Sequence, residues 1–299
     1  MSTSDTEPLT QPRKQPAGPS PYQIVADQEK YRVPDAAFGP CQHGASGTLC
    51  STSGKVGRNG RSAAIGATLC WLTCPQLNNI VARFERNGLM PALAARFTTD
   101  SALVAAHVSS HGAYESLAMR SLDETQRNFF KSHFIEPEDV SKRKFGNAAV
   151  GHEADLKCMH ALVAQTICGA SNPLGNLCLH YILHLKSELD AMVNAEVEAA
   201  EPDVSAPACA STVDTTTPTT VAASPNLKAC GVVDRPDGML QYLDRVGLAY
   251  VMTPPMASSD DETKSGGGVA SAECCAAAAW IIVTCEGHAP RTRKKHRKN

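Results

Sequence analysis

Two short segments hold the residues of this chain that are best suited to chemistry. In the first, Cys74 stands directly before Pro75, at the predicted start of a helix. In the second, Cys158 is followed two positions later by His160. A helix N-terminus stabilises a thiolate, and thiolate and imidazole serve both as zinc ligands and as nucleophile and base. The pattern therefore predicts either a metal site or a reactive thiol.

The metal interpretation needs ligands from distant parts of the chain, because structural zinc sites take four Cys or His ligands and the sequence contains no Cys-x-x-Cys pair. The predicted set is Cys41, Cys74, Cys158 and His160, with Cys285 as an alternative to Cys41. His43, in the same Gly-rich loop as Cys41, is a further possible ligand. We expect a zinc-type centre that is structural or binds a ligand.

The enzyme interpretation uses the same residues differently. Cys74 would be the nucleophile and His160 its base, as in other Cys/His pairs. The sequence offers no clear third group to orient the histidine, so it leaves open whether the protein is an enzyme.

The spacing of Cys158 and His160 sets a condition on both interpretations. In a regular helix, residues two positions apart point about 200° away from each other. The two side chains therefore converge only if Cys158 lies in an irregular first turn. Otherwise His160 belongs to the apolar stripe of the helix, as a core histidine.

Two further histidine pairs have helical spacing, His107 with His111 and His180 with His184. Residues four apart on a helix face the same way, so each pair has the spacing to bind a metal or to stack. Because this spacing also arises often by chance, a partly exposed helix face is the default interpretation.

The small-residue run 146–151 resembles a phosphate-binding loop only superficially. It lacks the following Lys-Ser or Lys-Thr, and the charged run 142–144 stands where an apolar strand should precede it. We reject a nucleotide loop here. A small-anion site at the following helix start, assisted by Lys157, stays an alternative.

The elements that must position these residues are mainly helical. After Pro75, apolar residues recur with helical spacing as far as Gly88, a natural helix end. Further helices are predicted over 101–119, 153–168 and 175–198, a strand over 65–73, a helix turning into a strand over 239–252, and a strand over 280–283. The predicted fold class is α+β, mainly helical, with a small β-sheet packed on several helices and with disordered insertions.

Composition divides the chain into a core and polar segments. We predict a disordered lead-in over 1–37, a core domain over 38–198, a disordered linker over 199–229, the C-terminal part of the core over 230–285 with a flexible insertion at 253–271, and a basic tail over 286–299. The linker is rich in Pro, Thr and Ser, a composition that does not bury enough apolar surface to fold.

Charge and hydropathy exclude several classes of protein. The 28 basic and 30 acidic residues nearly balance, so the whole chain has no general attraction for nucleic acid or membrane. No run approaches the roughly 20 apolar residues that cross a bilayer, and the first 20 residues do not resemble a signal peptide. We therefore expect the 12 cysteines to be reduced thiols or metal ligands, in a cytoplasmic or alternatively nuclear protein.

The tail is the one strongly basic segment. Its cations are Arg291, Arg293, Lys294, Lys295, Arg297 and Lys298. Such a run is typical of a nuclear address or of a non-specific nucleic-acid contact, and equally of a solvated end. Nucleic acid is thus a second alternative partner.

The two cysteine segments resemble one bacterial family. Ala67-Thr-Leu-Cys-Trp-Leu-Thr-Cys-Pro-Gln-Leu with the following Val81-Ala-Arg-Phe-Glu-Arg-Asn-Gly, and Leu156-Lys-Cys-Met-His-Ala with Asn172-Pro-Leu-Gly, are similar to the domain of unknown function 501 family. His111 and Tyr114 resemble that family's His-x-x-Tyr. The likeness covers roughly residues 38–180, with 280–285 as a possible closing segment.

This resemblance implies a site but no reaction, because the family has no settled activity. The chain departs from the family in three places. Leu162 stands where the family often has a second histidine, Asn147-Ala148-Ala149 replaces part of a Gly-rich run, and Cys41 with His43 replaces two cysteines.

Overall fold

The structure is a computed structural model that describes residues 35–51, 65–200, 226–257 and 269–286. Three strands, β1 (Ala36–Phe38), β2 (Gly47–Leu49) and β3 (Cys70–Leu72), accompany ten α-helices and two short helical turns of other types, Lys131–Ile135 and Val140–Lys142, among these residues. The helices are α1 (Pro75–Arg86), α2 (Leu89–Phe97), α3 (Ser101–Ser121), α4 (Glu124–Phe130), α5 (Met159–Ile167), α6 (Pro173–Ala200), α7 (Leu227–Val233), α8 (Gly238–Val246), α9 (Leu248–Val251) and α10 (Ser271–Glu286). The predicted class, mainly helical α+β with a small sheet, is confirmed.

The sheet is antiparallel in the order β1-β2-β3. Ala37 pairs with Thr48, and Thr48 pairs with Trp71. The strand predicted over 65–73 is therefore real but only three residues long. After β3 the chain enters α1 within three residues, and the backbone N–H groups of Thr73 and Cys74 donate to the Ser46 carbonyl at 2.9 and 3.3 Å. The hairpin β1–β2 thereby holds the start of α1.

Helix α1 begins as predicted, with Cys74 in extended backbone as its N-cap and Pro75 in its first turn. Proline suits that position because its missing N–H has no helical partner there. The apolar stripe Leu77, Ile80, Val81 and Phe84 is buried. This stripe packs α1 against both α5 and α10.

Helix α6 forms the centre of the helical layer and packs on α5 and α10. It crosses α5 closely at Gly175, where a Cβ atom would collide with the Leu162 carbonyl. The Asn172 side chain accepts hydrogen bonds from the N–H groups of Leu174 and Gly175 and so caps the helix start.

Three predicted elements are corrected by the structure. Residues 280–283 are not a strand but lie within α10, since the Ala-rich run before them favours a helix; Ile281 and Ile282 are buried on its core face, whereas Val283 is exposed. The span 239–252 holds α8 and α9 without a strand. Helix α5 begins at Met159 rather than near residue 153.

Several predicted segments lie outside the described residues. They are the lead-in as far as residue 34, most of the linker (201–225), the centre of the insertion (258–268) and the basic tail (287–299). None of the described helices combines the length and the apolar character that spanning a membrane requires.

The run 146–151 is a tight turn that holds the sheet to α5. The backbones of Phe145 and Val150 pair as an isolated bridge. The Asn147 side chain is fully buried and accepts from the N–H groups of Leu69 and Cys70 at 3.1 and 2.8 Å. Its amide nitrogen donates to the Cys70 and Ala161 carbonyls at 2.7 and 2.9 Å. One side chain therefore joins β3 to α5.

The His107–His111 pair lies inside the molecule rather than on an exposed face. The two rings meet edge to face at 5.0 Å on α3, and both side chains are buried. His111 Nε2 lies 2.8 Å from the Glu153 carbonyl. Burial, followed by the charge of His111, lowers the pKa of His107 to about 4.

We predict that Asn147→Leu destabilises the fold by about 3 kcal/mol, because leucine has a similar size but leaves buried backbone groups of β3 and α5 without partners. Urea unfolding measures this loss. Asn128→Ala, at an exposed position of α4, is the control and should stay within about 0.5 kcal/mol of wild type. Equal effects of both changes would contradict the assigned role.

We also predict a pH dependence from His107. Its pKa in the folded chain is below the unfolded value, so the unfolded chain takes up the proton first, and stability falls as the pH drops from about 6.5 toward 4. The total effect is at most about 3 kcal/mol. The free energy of unfolding should therefore vary less between pH 7 and pH 4.5 in His107→Gln than in wild type, and identical pH profiles would refute the assignment.

Candidate functional site

The structure divides the predicted ligands between two groups. Cys158 and His160 lie with Glu85, and the ligand atoms of these three residues are all within 4.8 Å of one another. Cys41 and Cys74 lie with Cys275, and the three sulfur atoms are likewise all within 4.8 Å of one another. We call the first set the Glu–Cys–His group and the second the three-cysteine cluster.

The Glu–Cys–His group is assembled where α1 meets the start of α5. His160 Nδ1 lies 3.1 Å from Glu85 Oε2 and 3.9 Å from Cys158 Sγ. Cys158 is the N-cap of α5 and has extended backbone, with φ −155° and ψ 120°. This is the irregular geometry that allows residues 158 and 160 to converge.

The hydrogen bonds of this group orient both the imidazole and the carboxylate. His160 Nε2 lies 3.2 Å from the Asn78 carbonyl of α1. A carbonyl oxygen only accepts, so Nε2 carries a hydrogen and Nδ1 faces Glu85 and Cys158. Glu85 Oε1 accepts from the Met159 N–H at 2.6 Å. The carboxylate thereby caps α5 while it pairs with the histidine.

Electrostatics favour the charged forms of Glu85 and His160. Burial acts to raise the pKa of Glu85, but the hydrogen bond and charge of His160 outweigh it, and the net effect lowers that pKa. Burial acts to lower the pKa of His160, but the neighbouring Cys158 and Glu85 raise it to about 10. Without another ligand, the group therefore holds an imidazolium–carboxylate ion pair at neutral pH.

A cavity of about 370 Å³ adjoins the group. Cys158 and His160 both line it, and Lys157 stands beside them. The other lining residues come from β3 and the residues before it, from the turn 146–151 and from α1 and α5, and they are Thr68, Cys70, Trp71, Leu72, Asn78, Asn147, Ala148 and Ala161. The lining is mostly apolar with a few polar groups, which is typical of a small-molecule site.

The three-cysteine cluster lies at the start of α1, where the hairpin, α1 and α10 meet. Cys74 Sγ and Cys275 Sγ are 3.3 Å apart, and both side chains are buried, while Cys41 is partly exposed. Cys41 is carried by the turn between β1 and β2, where Gly44 N–H donates to its carbonyl at 2.9 Å.

Close contact between the hairpin and α10 brings Cys41 to Cys275. Gly39 has a left-handed φ of 60°, and a Cβ atom there would collide with the Ser271 side chain at the start of α10. Glycine is therefore the residue that permits both this backbone conformation and this approach.

The sulfur atoms of the cluster share their protons unequally. Hydrogen bonds from Cys275 and then from Cys74 lower the pKa of Cys41. The bond to Cys275 acts to lower the pKa of Cys74, but the bond to Cys41 and burial raise it to about 11. Hydrogen bonds to Cys41 and then to Cys74 also raise the pKa of Cys275. The cluster thus favours one thiolate, at Cys41.

Other predicted site residues fall elsewhere. Cys285 lies at the end of α10, where Cys230 Sγ donates to its carbonyl at 3.1 Å. His43 Nε2 lies 3.3 Å from the Gln42 side-chain nitrogen, which is 4.0 Å from Cys275 Sγ. Cys74 and His160, the predicted nucleophile and base, belong to different groups.

The second helical histidine pair has separate partners. His180 Nε2 lies 2.9 Å from the Thr253 carbonyl, and His184 stacks on Tyr242 with ring centroids 4.8 Å apart. Arg245 also lies 2.7 Å from His184 Nε2. These contacts use the two rings to pack α8 and the chain beyond it against α6.

Sequence reasoning missed Glu85 and Cys275. Glu85 stands four positions after Val81, at the edge of the buried stripe of α1, and this placement was the available signal for an inward carboxylate. Cys275 was not predicted as a site residue because its segment was not predicted to be helical. With α10 recognised as a helix, a cysteine near its start would have been a candidate of the same kind as Cys74.

Comparisons with known proteins agree with the two cysteine segments. Residues 39–180 match the family model described as "Protein of unknown function (DUF501)". No curated protein and no solved structure gives a significant match. The matched span contains Cys41, Cys74 and the whole Glu–Cys–His group, whereas Cys275 lies beyond it. The predicted resemblance to the DUF501 family is therefore confirmed over residues 39–180.

Proposed function

We propose that the protein is a metal-binding protein whose functional centre is the Glu–Cys–His group, holding one zinc-type ion beside the cavity. The single observation that carries the proposal is the convergence of a carboxylate, a thiol and an imidazole nitrogen within 4.8 Å at the cavity wall. This proposal keeps Cys158 and His160 from the predicted ligand set and adds Glu85.

The separations of the ligand atoms fit such an ion. Zinc bonds of about 2.3 Å to sulfur and about 2.0 Å to nitrogen or oxygen place tetrahedral ligand atoms roughly 3.3 to 3.6 Å apart. The contacts here are 3.1 Å from His160 Nδ1 to Glu85 and 3.9 Å from Nδ1 to Cys158 Sγ. Small side-chain rotations are enough to close the difference.

The surrounding hydrogen bonds are those of a metal site. A metal-bound histidine generally donates its other N–H to a carbonyl or carboxylate, and a metal-bound carboxylate is itself hydrogen-bonded. His160 has the Asn78 carbonyl for this purpose, and Glu85 has the Met159 N–H. Both partners are backbone groups of helices, so they hold the ligands rigidly.

The number of protein ligands favours a metal site that also binds a water molecule or a substrate. Three protein ligands leave a fourth position for water or substrate, as in catalytic zinc sites. Two of the three ligands line the cavity, so that position opens into it. An ion there would polarise a carbonyl or phosphoryl oxygen of a small ligand, and Lys157 at the same wall favours a ligand that carries negative charge.

A second function is favoured by one specific contact. Cys158 Sγ faces His160 Nδ1 at 3.9 Å while Asn78 orients the ring through Nε2, an arrangement suited to a nucleophilic thiol and its partner histidine. This replaces the predicted nucleophile Cys74 by Cys158. Such an enzyme would work without a metal.

We predict that the purified full chain loses one equivalent of zinc when any ligand of the group is removed. Glu85→Gln, Cys158→Ala and His160→Gln should each lower metal affinity by more than the roughly 10- to 100-fold typical of a lost outer-shell partner. Elemental analysis after dialysis against a weak chelator measures this. Glu124→Gln, an exposed carboxylate at the start of α4, should keep the wild-type content.

Alkylation separates the two functions. If the ion is bound, iodoacetamide should label Cys158 slowly in the zinc-loaded protein and at least tenfold faster after chelation, because a coordinated thiolate is protected. Peptide mass spectrometry gives the rate at each cysteine. Fast labelling of Cys158 that ignores chelator and depends on His160 would refute the metal centre and support the thiol nucleophile.

A further inference from the structure

We propose that the three-cysteine cluster is a second metal site, which binds a thiophilic ion of the Zn²⁺ type and fastens α10 to the hairpin and to α1. This site is separate from the proposed function, since it shares no ligand with the Glu–Cys–His group. Its role is structural: an ion held by Cys41, Cys74 and Cys275 would connect three segments that are distant in the chain.

The geometry of the sulfur atoms carries the first step. Three sulfur atoms lie within 4.8 Å of one another, and the Cys74–Cys275 pair is 3.3 Å apart. Zinc–sulfur bonds of about 2.3 Å place tetrahedral sulfur ligands about 3.8 Å apart. The Cys74–Cys275 distance is about 0.5 Å shorter than that separation, and the other two sulfur pairs lie within 4.8 Å, so modest sulfur shifts would admit an ion.

One helix start lies at the cluster and favours negative charge there. Cys74 is the N-cap of α1, and Cys275 is the fifth residue of α10. Partial positive charge at the N-terminus of a helix stabilises an anion within the first turn. Cys74 lies at the N-terminus of α1, whereas Cys275 lies just beyond the first turn of α10, so the α1 start favours the negative charge that a thiolate-bound cation neutralises.

Burial argues against a cluster of simple exposed thiols. Cys74 and Cys275 are almost completely inaccessible, and Cys41 closes the cluster from the hairpin side. Soft thiolate ligands select zinc-like and other thiophilic ions over magnesium or calcium. On the partly exposed side, next to Cys41, the fourth position of such an ion would be open to water.

The site also joins two parts of the chain. Cys41 and Cys74 belong to the span 39–180, and Cys275 comes from the helix beyond it. Residues 201–225 and 258–268 separate α10 from the preceding helices in sequence. An ion at the cluster would therefore fix a distant helix onto the family domain through bonds stronger than its apolar contacts alone.

The test uses the full chain, freed of metal and reloaded with Co²⁺, whose sulfur-to-metal charge-transfer absorption grows with the number of bound thiolates. The wild type should bind two equivalents. Cys41→Ser and Cys275→Ala should each remove the Co²⁺ equivalent of the three-cysteine cluster and with it most of the charge-transfer absorption. Glu85→Gln should remove the equivalent of the Glu–Cys–His group and lower the absorption only a little. Loss at one site with retention at the other distinguishes failure of this inference from failure of the proposed function.

The matched control is Cys274→Ala. Cys274 is fully buried on the same helix, but its sulfur approaches the Leu179 carbonyl instead of the cluster. This variant makes a cavity of the same size as Cys275→Ala and should keep both Co²⁺ equivalents. If Cys275→Ala does not fold, Cys41→Ser decides the matter, since Cys41 lies in a partly exposed turn.

Hydrogen exchange of the backbone amides of residues 271–286 measures whether the ion stabilises α10. Zinc should slow exchange in this helix at least tenfold in wild type and in Cys274→Ala, and should have no effect in Cys41→Ser. Unchanged metal content in Cys41→Ser and Cys275→Ala would overturn the inference.

Discussion

The contact between the Glu85 carboxylate and the start of α5 is the interaction on which the candidate site depends. One oxygen of Glu85 accepts from the Met159 N–H, and the other faces His160 Nδ1. The first bond ends the extended segment that carries Cys158 and begins the helix. The second fixes the ring between α1 and α5. Because the same carboxylate does both, the start of the helix and the convergence of the three functional groups form together.

Helix α1 explains why the structure has two groups instead of one. It packs against α5 on one side and α10 on another, so the residues at its two ends lead to different neighbours. Cys74, at its start, reaches Cys275, whereas Glu85, about 16 Å further along the axis, reaches His160. The buried apolar stripe between them holds both arrangements in place.

The frame around the groups is stiffened by polar contacts between separate elements. Buried Asn147 satisfies backbone groups of β3 and α5 at once, and nearer the surface Arg83 of α1 pairs with Asp234 at the end of α7 at 2.5 Å. A buried polar group such as Asn147 costs free energy unless it is paired, and here its partners come from two elements. The site is therefore supported by elements that have no freedom to slide past one another.

The sequence by itself determined the elements whose signals are local. Pro75, the apolar stripe of α1 and the caps of the later helices specify mainly helical structure. The two cysteine segments indicated the resemblance to the DUF501 family and contain three of the six residues in the two groups. A fourth, Cys41, was predicted from the loop before them. Only the tertiary structure decided which sulfur meets which partner. Glu85 and Cys275 have no local signature, since their roles depend on contacts with residues that are 74 and 201 positions away in the chain. Backbone conformation at Cys158 was likewise undecided locally, because an extended residue before a helix is stabilised here by a carboxylate from another element.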